Sequence, residues 1–179
     1  MQNIFEFTPN LIGILGSSSL SDFKLKKKIQ ILSKSNFSLI EVNDLFIVET
    51  YSPWKQLPLA EQEKISKLLA ARNIKIKFVN DIIVIPKKGI QSPWASKVGD
   101  IFSKCSINIK NIEKVNCYSF SEEDNLEALD LNLIHDPLVE NIITEVERVS
   151  DLFSSESKKK TLEINNSSIE NFSKVNKSL

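Results

Sequence analysis

A chain of 179 residues is long enough for one domain with an appendage, and its hydrophobic fraction of 41% is sufficient for a packed core. Basic and acidic residues number 23 each, so the formal net charge is zero. This balance argues against a nucleic-acid partner, because binding by phosphate neutralisation needs a basic excess. Two cysteines and one histidine are too few for a disulfide framework or a zinc site, so we expect no metal.

The chain carries no sequence pattern for secretion or membrane insertion. Its N-terminus lacks the basic region followed by an apolar stretch that is typical of a signal peptide. The longest apolar run, residues 82–85, is far too short to cross a bilayer. We therefore expect a cytoplasmic protein with no membrane partner.

The first half of the chain predicts a strand, a helix, a hairpin and a second helix. The apolar run 11–15 predicts the strand, and apolar residues at spacings of three and four predict a helix over 21–35. Residues 37–50 predict a hairpin, with Asn43-Asp44 as its turn. The second helix is expected over 59–71, opened by a proline.

The second half predicts a similar order of elements and one more helix. The predicted elements are a strand at 82–85, a helix opened by Ser92 and Pro93, a hairpin at 107–120, a helix opened by Ser121 and a helix opened by Asp136 and Pro137.

The two halves also resemble each other in sequence at a spacing of 73 residues. This spacing joins Gly16 to Gly89 and Val42 to Val115. It predicts an α+β fold of two fused β-α-β-β-α repeats that form a pseudo-dimer, with antiparallel sheets covered by helices. We expect this domain to span 1–153. A Ser- and Lys-rich run then begins a linker tail over 154–179.

No catalytic constellation is evident from the sequence. Phosphate-binding glycine motifs are absent, and we expect the single histidine, His135, to mark the start of a helix. Residues 86–101 are distinctive because Pro, Gly, Trp, Lys and Asp meet there at a strand-to-helix junction. Two interpretations are open: an anion site formed by the helix N-terminus and Lys97, or a capped helix with Trp94 as an anchor.

This segment resembles one found in the single-chain phosphoribosylformylglycinamidine synthases, also called formylglycinamide ribonucleotide amidotransferases. The family segment reads Pro-Arg-Pro-Gly-Thr-x-Ser-Pro-Trp-Ser-Ser-Lys-Ala-Thr-Asp-Ile. The matching residues are Pro86, Gly89, Ser92, Pro93, Trp94, Ser96, Lys97, Asp100 and Ile101. The departures include Lys87, Lys88, Ile90, Val98 and Gly99.

Other segments extend the resemblance over residues 11–153. Ile112-Glu113-Lys114 is similar to the family's Arg-Ile-Glu-Arg, and His135-Asp136 with Glu140 is similar to its His-Asp-Arg-Met-x-Glu. Residues 161–179 look like the beginning of the family's linker domain, cut within its first helix, so we expect the chain to be a fragment.

The resemblance implies a part of a larger enzyme. The family's N-terminal domain is similar to a fused pair of small subunits. The whole enzyme is a glutamine-dependent ligase of purine biosynthesis, which uses ATP to convert formylglycinamide ribonucleotide to formylglycinamidine ribonucleotide. In the family, ATP and magnesium bind the synthetase domains and glutamine is hydrolysed in the glutaminase domain. The resemblance therefore implies no cofactor and no activity in this chain alone, and it implies those two domains as partners.

Two functions are consistent with the sequence. The chain is either the structural domain that bridges synthetase and glutaminase, or a free-standing, non-enzymatic binding module. In either case we expect the distinctive segment to serve in docking rather than in bond-making. The expected docking residues are Ser92, Pro93, Trp94, Ser96, Lys97 and Asp100.

Overall fold

Alternating apolar residues build an antiparallel sheet of six strands in the computed structural model, which describes residues 4–72, 78–87, 90, 92–144 and 146–153. The strands are β1 Ile4–Thr8, β2 Leu11–Leu15, β3 Leu39–Thr50, β4 Asp81–Pro86, β5 Ile109–Phe120 and β6 Glu140–Ile143. Their order across the sheet is β1-β2-β3-β5-β4-β6, and every neighbouring pair is antiparallel. The expected α+β class with an antiparallel sheet is therefore confirmed.

Three α-helices pack on one face of this sheet. They are α1 Asp22–Lys34, α2 Leu59–Leu68 and α3 Pro93–Lys104. The described residues also form short 3-10 helices at Trp54–Gln56, Leu126–Ala128, Leu131–Leu133 and Val146–Phe153. Three predicted helices are thus confirmed: those at 21–35 and 59–71 and the one opened by Ser92.

Successive side chains of a strand point to opposite faces of a sheet, and the central strands bury side chains on both faces. On the helix-covered face, Phe46 and Val48 of β3 pack with Phe102 of α3. On the opposite face, Leu45 and Ile47 belong to a second core, which Val149 of the last 3-10 helix helps to close. A strand that is buried on both faces has apolar residues at successive positions, so its sequence lacks the alternation of polar and apolar residues that is typical of a half-buried strand.

The two predicted hairpins are wrong, because β3 and β5 are each one continuous strand of 12 residues. Asn43 and Asp44, the expected turn, lie buried within β3. Asn43 accepts a hydrogen bond from Arg72 Nη1 at 2.6 Å, and Asp44 accepts bonds from the backbone and hydroxyl of Ser19. Partners distant in sequence therefore satisfy two polar side chains whose local tendency is to form a turn.

The helices expected after Ser121 and after Asp136 are also wrong. After Ser121 the chain turns, and Asp124 Oδ2 accepts a hydrogen bond from Ser38 N at the start of β3. After Asp136 a turn leads into β6, where Ile142 and Ile143 point to opposite faces of the sheet. Neither β6 nor β1 is among the predicted strands.

β3 and β5 are equal in length, and their bounds differ by 70 residues, from Leu39 to Ile109 and from Thr50 to Phe120. The spacing of 73 does not match the strands. It pairs Val42, which faces α1, with Val115, which lies on the opposite face. The other expected match, Gly89, and the tail at 154–179 lie outside the described residues.

The end of α2 generates a prediction about stability. Ala70 is exposed and adopts a left-handed backbone conformation, with φ of 49°. Because a Cβ is disfavoured there, Ala70→Gly should raise the free energy of unfolding by about 1 kcal/mol. Asn36, also exposed and left-handed at 62°, is the control, since asparagine tolerates this conformation. Urea denaturation of both glycine variants tests the argument, and equal effects would contradict it.

Candidate docking site

Ser92 joins the start of α3 to the middle of β5. Its side chain caps α3 by accepting a hydrogen bond from Ala95 N at 3.0 Å, and Pro93 occupies the first turn. Its hydroxyl donates to Glu113 Oε1 at 2.5 Å, and its backbone N–H donates to Glu113 Oε2 at 3.3 Å. Glu113 is only 3% exposed and also accepts from Lys114 N at 2.9 Å. Two segments carrying the family resemblance thus meet in one buried hydrogen-bond cluster.

Trp94 is half-buried and packs toward the chain's own core. Its ring stacks on Phe46 of β3, with centroids 5.4 Å apart and an interplanar angle of 18°. Lys114 Nζ lies 6.0 Å from the ring centroid, at the limit of a cation–π contact. Trp94 therefore anchors α3 to the sheet, while part of the ring stays open to solvent.

Lys114 extends this cluster to the other half of the molecule. Its Nζ lies 3.5 Å from Asp44 Oδ2 and donates to Ser19 Oγ at 3.1 Å. Ser19 in turn donates through its backbone and hydroxyl to Asp44 Oδ1, both at 3.1 Å. A buried carboxylate on each central strand thus holds the loop that precedes a helix: Asp44 for α1 and Glu113 for α3.

The remaining predicted site residues face outward. Pro93, Ser96, Lys97 and Asp100 are exposed on α3. Among the described residues no ion pair joins Lys97 to Asp100, although their spacing allowed one. The predicted set is therefore divided, with Ser92 turned inward, Trp94 half-buried and the other four side chains at the surface.

The arrangement disfavours an anion site at the N-terminus of α3. Within the first turn, Ala95 N already donates to Ser92 Oγ and Ser96 N donates to Ser92 O. The chain's own carboxylate, Glu113, accepts the N–H of Ser92, so a second negative charge would meet repulsion there. Lys97 is exposed, and the structure gives it no contact with Ser92 or Glu113.

Sequence reasoning missed the roles of Asp44 and Glu113. Asp44 was assigned to a turn, and Glu113 was noted only as part of a family motif. For Asp44 the available signal was its position directly before the apolar run 45–48, since a buried carboxylate requires specific donors. Glu113 lies between polar and apolar residues and carried no such signal. The identity of those donors, Ser19 and Ser92, follows only from the tertiary structure.

The other reactive side chains are held in structural positions. Burial raises the pKa of the Cys117 thiol above its ordinary value, which suppresses the thiolate. Burial likewise raises the pKa of Tyr118 to about 12. His135 Nδ1 lies 2.7 Å from Leu131 O, next to the turn that precedes β6. Among the residues that the structure describes, no group of His, Cys, Asp and Glu side chains is suited to a metal ion.

The chain matches a known protein family. A family model described as formylglycinamide ribonucleotide amidotransferase N-terminal matches residues 44–153, more than half of the chain. The matched region includes β3 from residue 44 onward, then α2, β4, α3, β5 and β6, and thus the whole segment around Trp94. Across the described ranges no helix is long and apolar enough to span a membrane.

The Ser92–Glu113 contact predicts unequal effects at two helix caps. Ser92→Ala removes a cap and a donor to a buried carboxylate, so it should cost about 2–3 kcal/mol of unfolding free energy. Ser21 caps α1 through a longer bond to Lys24 N, 3.4 Å, and is the matched control. Ser21→Ala should cost about 1 kcal/mol or less. Chemical denaturation compares the two variants, and equal losses of unfolding free energy would refute the stabilising role of the Ser92–Glu113 contact.

The position of Trp94 predicts an intermediate loss of stability. Because the half-buried ring stacks on Phe46, Trp94→Ala should cost about 2 kcal/mol, less than the roughly 3–5 kcal/mol of a fully buried tryptophan. Ser96→Ala, on the same helical turn but exposed, should change stability by less than about 0.5 kcal/mol. A loss for Trp94→Ala as small as the control's would show that the ring contributes nothing to the core.

Proposed function

Because the chain belongs to the family of formylglycinamide ribonucleotide amidotransferase N-terminal domains, we propose that it is the structural, bridging domain of that enzyme of purine biosynthesis. In this role it holds the glutaminase domain against the synthetase domains, so that ammonia released from glutamine reaches the ligase site. The chain contributes surfaces for docking and takes no part in bond-making.

One observation carries this proposal: Ser92 and Trp94 of the distinctive segment make their contacts within the fold. Ser92 and Glu113 are hydrogen-bonded to each other, and Trp94 is stacked on Phe46. A catalytic group has to be free to contact its substrate, whereas these side chains fix the orientation of α3. The exposed side chains of the same helix are then available to another domain.

The proposed domain spans residues 1–153 and derives from two fused, small-subunit-like units. The register of the central strands supports this origin. Leu45 pairs with Val115, and the two residues hold the same position in strands of equal length. In a fused pair of equivalent units, a two-fold axis through this pair would relate β3 to β5, and the pairings of β2 with β3 and of β4 with β5 are consistent with that arrangement.

The proposal also assigns the remaining ligands to other parts of the enzyme. ATP and magnesium would bind to the synthetase domains, and glutamine to the glutaminase domain. On this basis the chain alone should neither release ADP nor hydrolyse glutamine.

Reversing the charge of Lys97 tests the docking surface. Lys97 is exposed on α3 and makes no ion pair among the described residues, so Lys97→Glu should leave the fold intact. We expect it to weaken association with separately produced synthetase and glutaminase domains of a family enzyme by about tenfold, or 1.4 kcal/mol. Calorimetry measures the affinity, and the ratio of glutamate to ADP formed measures coupling.

The matched control is Lys26→Glu, the same change at an exposed position of α1. It should bind as the unchanged chain does. Equal weakening by both variants would indicate a nonspecific charge effect and refute the α3 surface. No association by the unchanged chain would refute the bridging role and favour a free-standing module.

A further inference from the structure

Helices α2 and α3 pack on the same core and run in opposite directions. Trp54 N donates to Pro9 O just before α2. Arg72 N donates to Leu15 O just after it, so α2 runs in the same direction as β2. α3 runs from the middle of β5, where Ser92 lies, back to the start of that strand. Since β2 and β5 are both antiparallel to β3, they share one direction, and α3 is antiparallel to α2.

A contact between the two helices shows how they are aligned. Lys64 Nζ of α2 donates a hydrogen bond to Cys105 O at the end of α3. Because the helices are antiparallel, the residue one turn after Lys64 lies beside the residue one turn before Cys105. These residues are Leu68 and Ile101, which are 43% and 48% exposed. Two large apolar side chains thus form the centre of a shared outer surface, the α2–α3 surface.

Exposed lysines surround this apolar pair. Each lies within one helical turn of Leu68 or Ile101, and they are Lys67, Lys97 and Lys104. Among the described residues none of these lysines forms an ion pair. Asp100 is the only acidic residue within a turn of either apolar residue in sequence, so positive charge prevails. An apolar centre with a charged rim is typical of a protein interface.

The comparable surface of α1 is neutralised by the chain itself. α1 also carries exposed apolar residues, Phe23 and Ile31, among lysines. Leu126 and Leu129 pack in the same core as α1, and they belong to a segment with five acidic residues, Glu122, Glu123, Asp124, Glu127 and Asp130. Across the described ranges no such segment covers the α2–α3 surface, since its two central apolar side chains are exposed.

We propose that the α2–α3 surface binds an acidic surface element of another domain of the enzyme. One apolar side chain of that element is seated between Leu68 and Ile101, and its carboxylates face the three lysines. Charge complementarity carries this assignment, because an acidic partner is attracted to the lysines and a basic one is repelled. The inference rests on the proposed bridging role and specifies the chemistry of the partner.

Two other occupants are disfavoured by the same features. In a two-fold dimer through this surface the same residues of both copies meet, so lysines would face lysines. A nucleic acid would contact the lysines through its phosphates and leave Leu68 and Ile101 exposed to water.

Replacing the apolar pair tests the inference. Leu68→Gln with Ile101→Gln substitutes polar side chains that are compatible with a helix. Its affinity for separately produced synthetase and glutaminase domains of a family enzyme, measured by calorimetry, should fall at least about tenfold. The control is Phe23→Gln with Ile31→Gln, the same change on α1, which should bind as the unchanged chain does.

Two further measurements address the charges and do not alter a buried residue. Lys67→Glu with Lys104→Glu should also weaken binding at least about tenfold. For the unchanged chain, raising the ionic strength from about 0.05 M to about 0.5 M should weaken binding by about tenfold, because salt screens attraction between exposed charges.

The outcomes distinguish the occupants. Weaker binding by both variants but not by the control, together with the salt dependence, supports the acidic partner. Unchanged affinity of the glutamine pair, or binding that is independent of salt, overturns it and leaves the bridging role intact. Self-association of the unchanged chain that sedimentation detects and the glutamine pair abolishes overturns it in favour of a second copy. If the unchanged chain binds neither domain, the bridging role fails, and this inference fails with it.

Discussion

The ladder between β3 and β5 is the interaction on which the rest of the molecule depends. It pairs Leu39 with Phe120 at one end and Thr50 with Ile109 at the other, and it is the longest strand pairing among the described residues. It joins the two halves into one sheet, so that α1 and α3 can each pack over strands from both halves. Its partners are far apart in sequence, so closing it costs considerable chain entropy before side-chain packing offsets that cost.

The same ladder explains why carboxylates lie in the interior. Asp44 and Glu113 lie on the paired strands near the Leu45–Val115 centre, where a buried charge is unfavourable without specific donors. Asp44 receives Lys114 and Ser19 as partners. The hydrogen bonds that the structure gives Glu113 come from neutral donors of Ser92 and from Lys114 N. Removal of a donor would leave a buried carboxylate with too few hydrogen bonds. The loops that carry Ser19 and Ser92 are therefore held in place once β3 and β5 are paired.

Local signals in the sequence located the three α-helices, but they also predicted two helices that do not form, and they were insufficient for the sheet. Ser92 and Pro93 mark the start of α3 by side-chain and backbone chemistry that acts within one turn. Asn43-Asp44 has equally strong turn chemistry, yet it lies inside β3 because Arg72 and Ser19 supply its partners. β6 was missed for a related reason, since Ile142 fits a helical stripe and its strand conformation depends on pairing with β4.

The candidate site was predicted to a similar extent. The resemblance identified the residues of the α3 segment, and the exposure of Lys97 agrees with a solvent-facing position. The contact between Ser92 and Glu113 could not be predicted, because the two residues belong to separate elements and their proximity depends on the path of the loop after β4. The sequence identities at a spacing of 73 were also misleading, since they align residues from opposite faces of the sheet, such as Val42 and Val115.

Rigidity links the buried part of α3 to its exposed part. Ser92 ties the first turn to β5, and Trp94 ties the same turn to β3, so the orientation of the helix is fixed from two strands. A surface held in this way loses little conformational entropy when another domain binds, because its backbone is ordered beforehand. In the proposed docking role, the inward-facing residues would contribute without contacting the partner. Changes at Ser92 or Trp94 would act on association through the orientation of α3, whereas changes at Lys97 would act directly on the contact.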